Sequence, residues 1–411
     1  MKKIILNSLL IVSIVCTSLL VQSRPVLAAE QTVTFTDIKG HWAKAAIDTA
    51  VKNGYFKGYA DGTFKPNGSV TRAEFAALLA RASKVQPETA QPGNFPDLAG
   101  HWSETEVNRA VALGYINISD YPNGFKPSTP ITRMEIAKWM ASGLAAADPE
   151  YKEALQDTVT TVLPVKEYFK PGVSQSQAPY IAVSLGTKLM SGYPDGSFGL
   201  TQKATRAEAS AILLRLNEVG QQPAASFVGL NELREVGTKR TNMESISPFT
   251  TGKSSFNDAA EKTFTFKNKS CIVKLNHFIF VNAQDPKNPK GIYAPLFFDE
   301  SEIIAEQDKP GVYRAYVEVT IYPLKSPFSI GDYYSDHDSG LFTGNRTRTD
   351  NLKNKYGYNT LPYDEPQQFF ANYMDGKGVT LWQVQFIEVG QSKKGLTMDD
   401  GYWLYYKPKE E

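Results

Sequence analysis

The stretch "VTRAEFAALLARA", Val70 to Ala82, opens on a capping box and continues as an apolar helix face. The Thr71 hydroxyl is placed to accept from the N–H three residues on, and Glu74 to reach back to the N–H of Thr71. Phe75, Leu78 and Leu79 follow at helical spacing, so a helix is predicted from Thr71 to about Ala82. The same tetrapeptide returns twice, as Thr132-Arg133-Met134-Glu135 and Thr205-Arg206-Ala207-Glu208. Each places an arginine at the first helical position. There a guanidinium adds a full charge to the partial positive charge of the unpaired N–H groups. Three copies imply a repeated receptor for an acidic ligand.

The repeat extends well beyond this signature. "FTDIKGHWAKAAIDTAVKNGY" (Phe35 to Tyr55) aligns without a gap on "FPDLAGHWSETEVNRAVALGY" (Phe95 to Tyr115). Ala46, Ile47, Ala50 and Val51 make an amphipathic stripe, predicting a first helix from about Trp42 to Asn53. "GYADGTFKPNGSV" (Gly58 to Val70) is turn chemistry, so each module reads as helix, loop, helix. The second module matches from Trp102 to Leu113 and from Thr132 onward, but nothing there corresponds cleanly to Gly58. The third keeps "APYIAVSLG", "SGYPDGSF" and "ATRAEASAILLRL" (Ala204 to Leu216) while lacking the opening Asp and the His-Trp pair, so a weaker or remodelled site is expected there. The resulting boundaries are 33–83, 93–144 and 165–217 for the repeats, with 145–164 as an inserted helix and spacer. Unit-to-unit stacking is how such repeats bury their apolar faces.

These residues resemble the S-layer homology (SLH) family, on the strength of F-x-D-h-x-x-H-W-A, G-Y-x-D-G-x-F and h-T-R-A-E. The resemblance implies an all-α, pseudo-threefold bundle with intermodule grooves that bind a secondary cell-wall polysaccharide, typically carrying pyruvylated N-acetylmannosamine. It also implies a secreted protein at the cell wall or surface layer of a Gram-positive-type bacterium.

On this reading Arg72, Arg133 and Arg206 are candidate carboxylate forks for the polymer, the alternative being salt bridges between modules. Trp42 and Trp102 are either sugar platforms or buried anchors, and Tyr59 is a further ring for a sugar face. Asp37 and Asp97 accept sugar hydroxyls or cap the turn before the first helix. Gly58 and Gly192 offer backbone at the groove. Thr71, Glu74, Thr132, Glu135, Thr205 and Glu208 are assigned to capping, and His41 and His101 to packing.

Residues 1–29 read as a secretory signal, with Lys2-Lys3, an apolar run from Ile4 to Leu20 and small residues at Ala28 and Ala29. An uncleaved anchor and lipidation at Cys16 are the alternatives. After cleavage Cys271 alone remains, so no internal disulfide forms and stability comes from packing. The net charge of +1 gives no steering field and no basic run points to nucleic acid. No membrane contact is expected after cleavage.

The chain changes character after a polar linker, 218–226. From 227 to 411, runs such as Lys262 to Asn268, Cys271 to Ala283, Gly311 to Leu324, Val379 to Gly390 and Tyr402 to Pro408 alternate β-branched or aromatic residues with polar ones. They predict a mainly β domain, sandwich or barrel. Cys271 falls inside a strand pattern, Asp299 and Glu300 form an unspecific carboxylate pair, and "GDYYSDHDSG" (Gly331 to Gly340) reads as a solvated acidic loop. No catalytic residue, metal site or cofactor is assigned. Three functions stay open: a wall-anchored display protein whose β domain binds an unidentified surface partner, a surface-lattice subunit, and a wall-tethered polysaccharide-degrading enzyme.

Overall fold

In the computed structural model each repeat consists of two helices joined by a turn-rich loop. They are α1 (Lys44–Lys52) and α2 (Arg72–Ala82), α3 (Glu104–Ala112) and α4 (Arg133–Ala147), and, after the short inserted helices α5 (Pro149–Asp157) and α6 (Lys166–Phe169), α7 (Ala178–Gly186) and α8 (Arg206–Val219). The structure describes residues 34–83, 95–170, 172–298, 311–334, 350–361, 366–374, 376–390 and 394–409. The predicted signal segment 1–29 lies outside them. Among the described residues no helix is long and apolar enough to cross a membrane.

All three predicted capping boxes are present, with Thr71, Thr132 and Thr205 each accepting from the Glu N–H three residues on and each Glu reaching back. The residue before each Thr closes a backbone cycle. Val70 N–H donates to Ala204 O at 3.0 Å, Ala204 N–H to Ile131 O at 3.1 Å, and Ile131 N–H to Val70 O at 2.9 Å. These three residues are fully buried, so each module supplies the partner that satisfies the next. The N–H groups of Arg72, Arg133 and Arg206 extend the cycle by donating to Thr129 O, Gln202 O and Gly68 O of the following module.

The C-terminal half contains two antiparallel sheets. Strands β1 (Phe249–Thr250), β7 (Trp403–Pro408) and β6 (Lys394–Thr397) form one, in that order; β2 (Thr263–Thr265), β3 (Cys271–Val281), β4 (Val312–Pro323) and β5 (Val379–Glu388) form the other. The five predicted strand runs each contain one of these strands. Both sheets contribute to one apolar core, where Phe249 and Tyr406 of the small sheet meet Phe278 and Phe280 of β3.

Two expectations need correcting. Residues 218–226 are not a free linker: α8 runs to Val219, and the Tyr151 hydroxyl donates to Val219 O and Gln222 O at about 3 Å, pinning the corner to α5. Nor is the segment that follows β structure. Val228–Lys239 is a helix, α9, packed on α5 and α7 with Leu230, Leu233 and Val236 buried. The apolar core of the repeats therefore continues through α9 to Ile279, Val281, Tyr293, Tyr316 and Trp382, and Phe35 to Glu411 makes one compact unit.

Candidate functional site

The three signature arginines all cross to the next module. Arg72 holds Glu135 at 2.7 Å and donates from Nη1 to Phe125 O at 2.9 Å. Arg133 holds Glu208 at 3.0 Å and donates to Phe198 O and Ser191 O. Arg206 donates to Phe64 O at 2.8 Å and to Lys57 O at 2.9 Å. Each guanidinium also lies over the tyrosine of the loop it reaches: Tyr121 at 5.0 Å, Tyr193 at 4.6 Å and Tyr59 at 4.9 Å.

The third junction differs from the other two. Tyr121 and Tyr193 donate their hydroxyls toward Glu135 and Glu208, closing an arginine, tyrosine and glutamate triad at two junctions. The corresponding Glu74 makes no ion pair with Arg206, which has no carboxylate partner among the described residues. Burial pulls the Arg206 guanidinium below its ordinary pKa, with Tyr59, Glu74 and Asp37 acting weakly the other way. For Arg72 and Arg133 the intermodule salt bridge is thus the role observed, and Arg206 alone of the three keeps an uncompensated charge.

That charge faces a groove of about 650 Å³ on the first module. Its walls are the turn after α1 (Gly54 to Lys57), one side of α2 (Glu74, Ala77, Leu78, Arg81), Trp102 and Arg206. Arg206, Arg81 and Lys57 bring three cations to it against one acid. Glu74 Oε2 accepts from the Thr71 N–H and hydroxyl, as in the other capping boxes, but its Oε1 does not pair with Arg206 as the Oε1 of Glu135 and Glu208 pair with Arg72 and Arg133. Arg81 and Lys57 were not singled out in the sequence; Arg81 in the last turn of α2 is visible there only as a helix-end cation.

The tryptophans are not core residues. Trp42 is 66% exposed and Trp102 60% exposed, each beside its histidine ring. Tyr59 is also exposed, under Arg206. The aspartates, by contrast, are engaged by their own modules. Asp37 takes the N–H groups of Phe64 and Lys65, and Asp97 those of Phe125 and Lys126. Although desolvation opposes it, this double donation holds both carboxyls below the usual aspartate range. They clamp the loop, which is the turn-fixing role expected of them, while both side chains stay exposed at the surface.

The third module does the same with a residue that alignment cannot find. Glu167, on α6, takes the N–H groups of Phe198 and Gly199 at 2.9 and 2.8 Å. A longer carboxylate from a different local position replaces the missing Asp, so the module is rebuilt rather than degraded. The glycines allow close packing: a Cβ on Gly58 would lie 2.0 Å from the Phe35 ring, and one on Gly192 3.0 Å from Ser197 O.

In the C-terminal half, Cys271 is buried in the sheet core, as expected for a packing residue. His277 is paired across strands with Glu318 at 2.6 Å. The start of the expected acidic loop is instead helical, Ile330–Tyr334, with Tyr333 buried and Asp332 engaged by Ser329 and Lys325; the rest of it, from residue 335, and the Asp299-Glu300 pair lie outside the described residues. No group of metal-ligating side chains occurs among the described residues.

A family model described as the S-layer homology domain matches residues 34–76, 94–137 and 171–210. A "Cell surface glycoprotein 1" of Acetivibrio thermocellus is 42% identical over 106 residues, which is 23% of this chain and 4% of that protein. A "Cellulosome-anchoring protein" of the same organism is 39% identical over 109 residues, 25% of this chain and 24% of that protein. An "Amylopullulanase" of Thermoanaerobacterium thermosulfurigenes is 33% identical over 196 residues, 46% of this chain and 10% of that protein. The chain thus spans under a quarter of the length of each of these relatives.

Proposed function

We propose that this chain, which carries three S-layer homology domains, is a secreted surface protein held non-covalently to the cell wall through an acidic secondary polysaccharide. The backbone cycle at Val70, Ile131 and Ala204 supports reading the repeats as a pseudo-threefold bundle, and the two facing sheets support a sandwich-like display half. The observation that carries the proposal is Arg206. It is a half-buried guanidinium with an aromatic floor and no ion-paired carboxylate among the described residues, opening on a groove that Glu74 also lines and whose rim is the exposed Trp102. A ligand carboxylate, such as a pyruvyl ketal, would complete at this junction the ion pair that Glu135 and Glu208 complete at the others. A sugar ring would lie on Trp102 or Tyr59.

This reading places the principal site in one groove. Arg72 and Arg133 serve the bundle, and Trp42 marks a second, weaker surface. Names printed for relatives support the anchoring part, since one is a cellulosome-anchoring protein. The enzyme names among relatives leave a tethered catalyst in 227–411 as the alternative.

The test is sedimentation of the full chain with purified walls before and after acid extraction of the non-peptidoglycan polymer. Binding lost on extraction and in Arg206→Ala supports the reading. Binding that survives either treatment contradicts it. Release of soluble sugar from the same walls would favour the enzyme.

A further inference from the structure

Glu232 is 1% exposed, at the joint where α9 meets the C-terminal half. Its Oε2 accepts from Asn242 Nδ2 at 2.9 Å, and its Oε1 accepts from the Ile292 N–H at 3.0 Å. Asn242, itself fully buried, is fixed to β3: Phe280 N–H donates to its Oδ1, and its Nδ2 also donates to Phe280 O. Gly291 stands against the carboxylate at φ +112°, and a Cβ there would come within 3.1 Å of Oε2. One side chain therefore connects the helical half, the 291–292 turn and the large sheet.

The charged and titratable surroundings offer no compensation. Along α9, Glu235 lies one turn away, is itself buried with its carboxyl raised by that burial, and accepts from the Glu244 and Ser245 N–H groups and the Ser245 hydroxyl. Lys239 is taken by Glu244 at 2.6 Å. From the 290–293 turn Tyr293 gives its hydroxyl to Val162 O, and Lys290 meets Asn282 through its backbone. The β3 contacts are backbone groups of Phe280. Among the described residues no cation lies within ion-pair distance of Glu232. Two neutral donors do not offset the loss of water around an ionised carboxylate. Burial, opposed by Asn242 and Ile292 and reinforced by Glu235, pushes the carboxyl up to about 7.

We propose that Glu232 is a proton-operated latch between the repeat half and the sheet half, closed when the carboxyl is neutral and loosened when it ionises. The opened joint returns the carboxyl to water and to an ordinary pKa near 4.5. The closed form thus binds more protons over the interval between. Closure is strongest below about pH 4.5, weakens as pH rises to about 7, and is constant above. The opening equilibrium grows about tenfold per pH unit inside that window.

Hydrogen exchange of the full chain, corrected for intrinsic rates, tests this at pH 5, 6, 7 and 8. Expected is faster opening of 228–246 and 290–297 from pH 5 to 7, level from 7 to 8, with the strands of the small sheet unaffected. Glu232→Gln should remove the pH dependence of 290–297, which only Glu232 of the two carboxylates contacts, and Glu235→Gln should retain it there. Should Glu232→Gln not fold, the wild-type profile alone decides: a rise confined to these segments supports the latch. Opening that is flat with pH, or a rise at 290–297 that survives in Glu232→Gln, overturns it.

Discussion

At the residue scale, three arginines written identically in the sequence have different duties. Arg133 is 4% exposed and holds the half-buried Glu208 together with the carbonyls of Phe198 and Ser191. Arg133→Ala should cost about 3 kcal/mol, because it strands Glu208 and two carbonyls. Thermal unfolding measures it, and an unchanged midpoint would refute the structural role. Arg206→Ala should instead reduce wall-polymer affinity at least about tenfold, a loss of roughly 1.4 kcal/mol, with helical circular dichroism retained. Loss of binding in Arg133→Ala at undiminished stability would reverse these assignments. The sequence shows the signature and its caps in full. It does not show which glutamate reaches across, since all three lie at the same spacing. Tyr406 is a further residue that sequence could not evaluate. Its hydroxyl is buried among Phe249, Phe278 and Phe280 with no hydrogen-bond partner among the described residues. Tyr406→Phe removes an unsatisfied polar group, so the variant should be more stable by about 1 kcal/mol in urea unfolding. A less stable variant would show that the hydroxyl has a partner such as a bound water.

At the element scale, α9 is where local reading failed. "VGLNELREVGTK" has apolar residues three apart, but Gly229 and Gly237 interrupt it and no side chain caps it. Both glycines look like helix breakers and are in fact contact points. A Cβ on Gly237 would lie 1.9 Å from Asp157 O, and one on Gly229 3.0 Å from Gly186 O. Gly186 in turn meets the Leu230 backbone, where a Cβ would come within 2.6 Å of its Cα. Helix propensity alone makes Gly→Ala favourable by about 1 kcal/mol. Forcing α9 off α5 costs about 1–3 kcal/mol. The overlap at Gly237 is with backbone, which cannot rotate away, so the steric cost wins and Gly237→Ala should lower the melting temperature. A higher melting temperature would mean that α9 is not seated on α5 as described. The paired helices of the modules were legible because their periodicity is uninterrupted and their caps are written locally; α9 was hidden because tertiary contact, not propensity, selects its residues. Glu167 was hidden for the same reason.

At the scale of the whole molecule, the composition shift near residue 226 falls before a helix, α9, and inside the compact unit Phe35–Glu411. Leu230, Leu233 and Val236 are fully buried beyond that point, in the same core as the repeats, and Tyr293 and Trp382 continue it. Burying one aliphatic side chain is worth about 2 kcal/mol, so α9 alone contributes roughly 6 kcal/mol to this core. That is comparable to the total stability of an ordinary domain, about 5–15 kcal/mol. Cutting the chain at 226 should therefore leave the faces of α5 and α7 uncovered and lower the urea midpoint of the repeats sharply. A fragment spanning 34–240 restores α9 and should recover part of that midpoint; the full chain, which adds Tyr293 and Trp382, should be highest and unfold in one transition. Circular dichroism and tryptophan fluorescence, followed together on the three lengths, measure this. Coincident midpoints for 34–226 and 34–411 would mean that the repeats fold independently and that the change in composition is a domain boundary after all. The predicted order would mean that the anchor borrows stability from the half it displays, so that loosening the α9 joint weakens both.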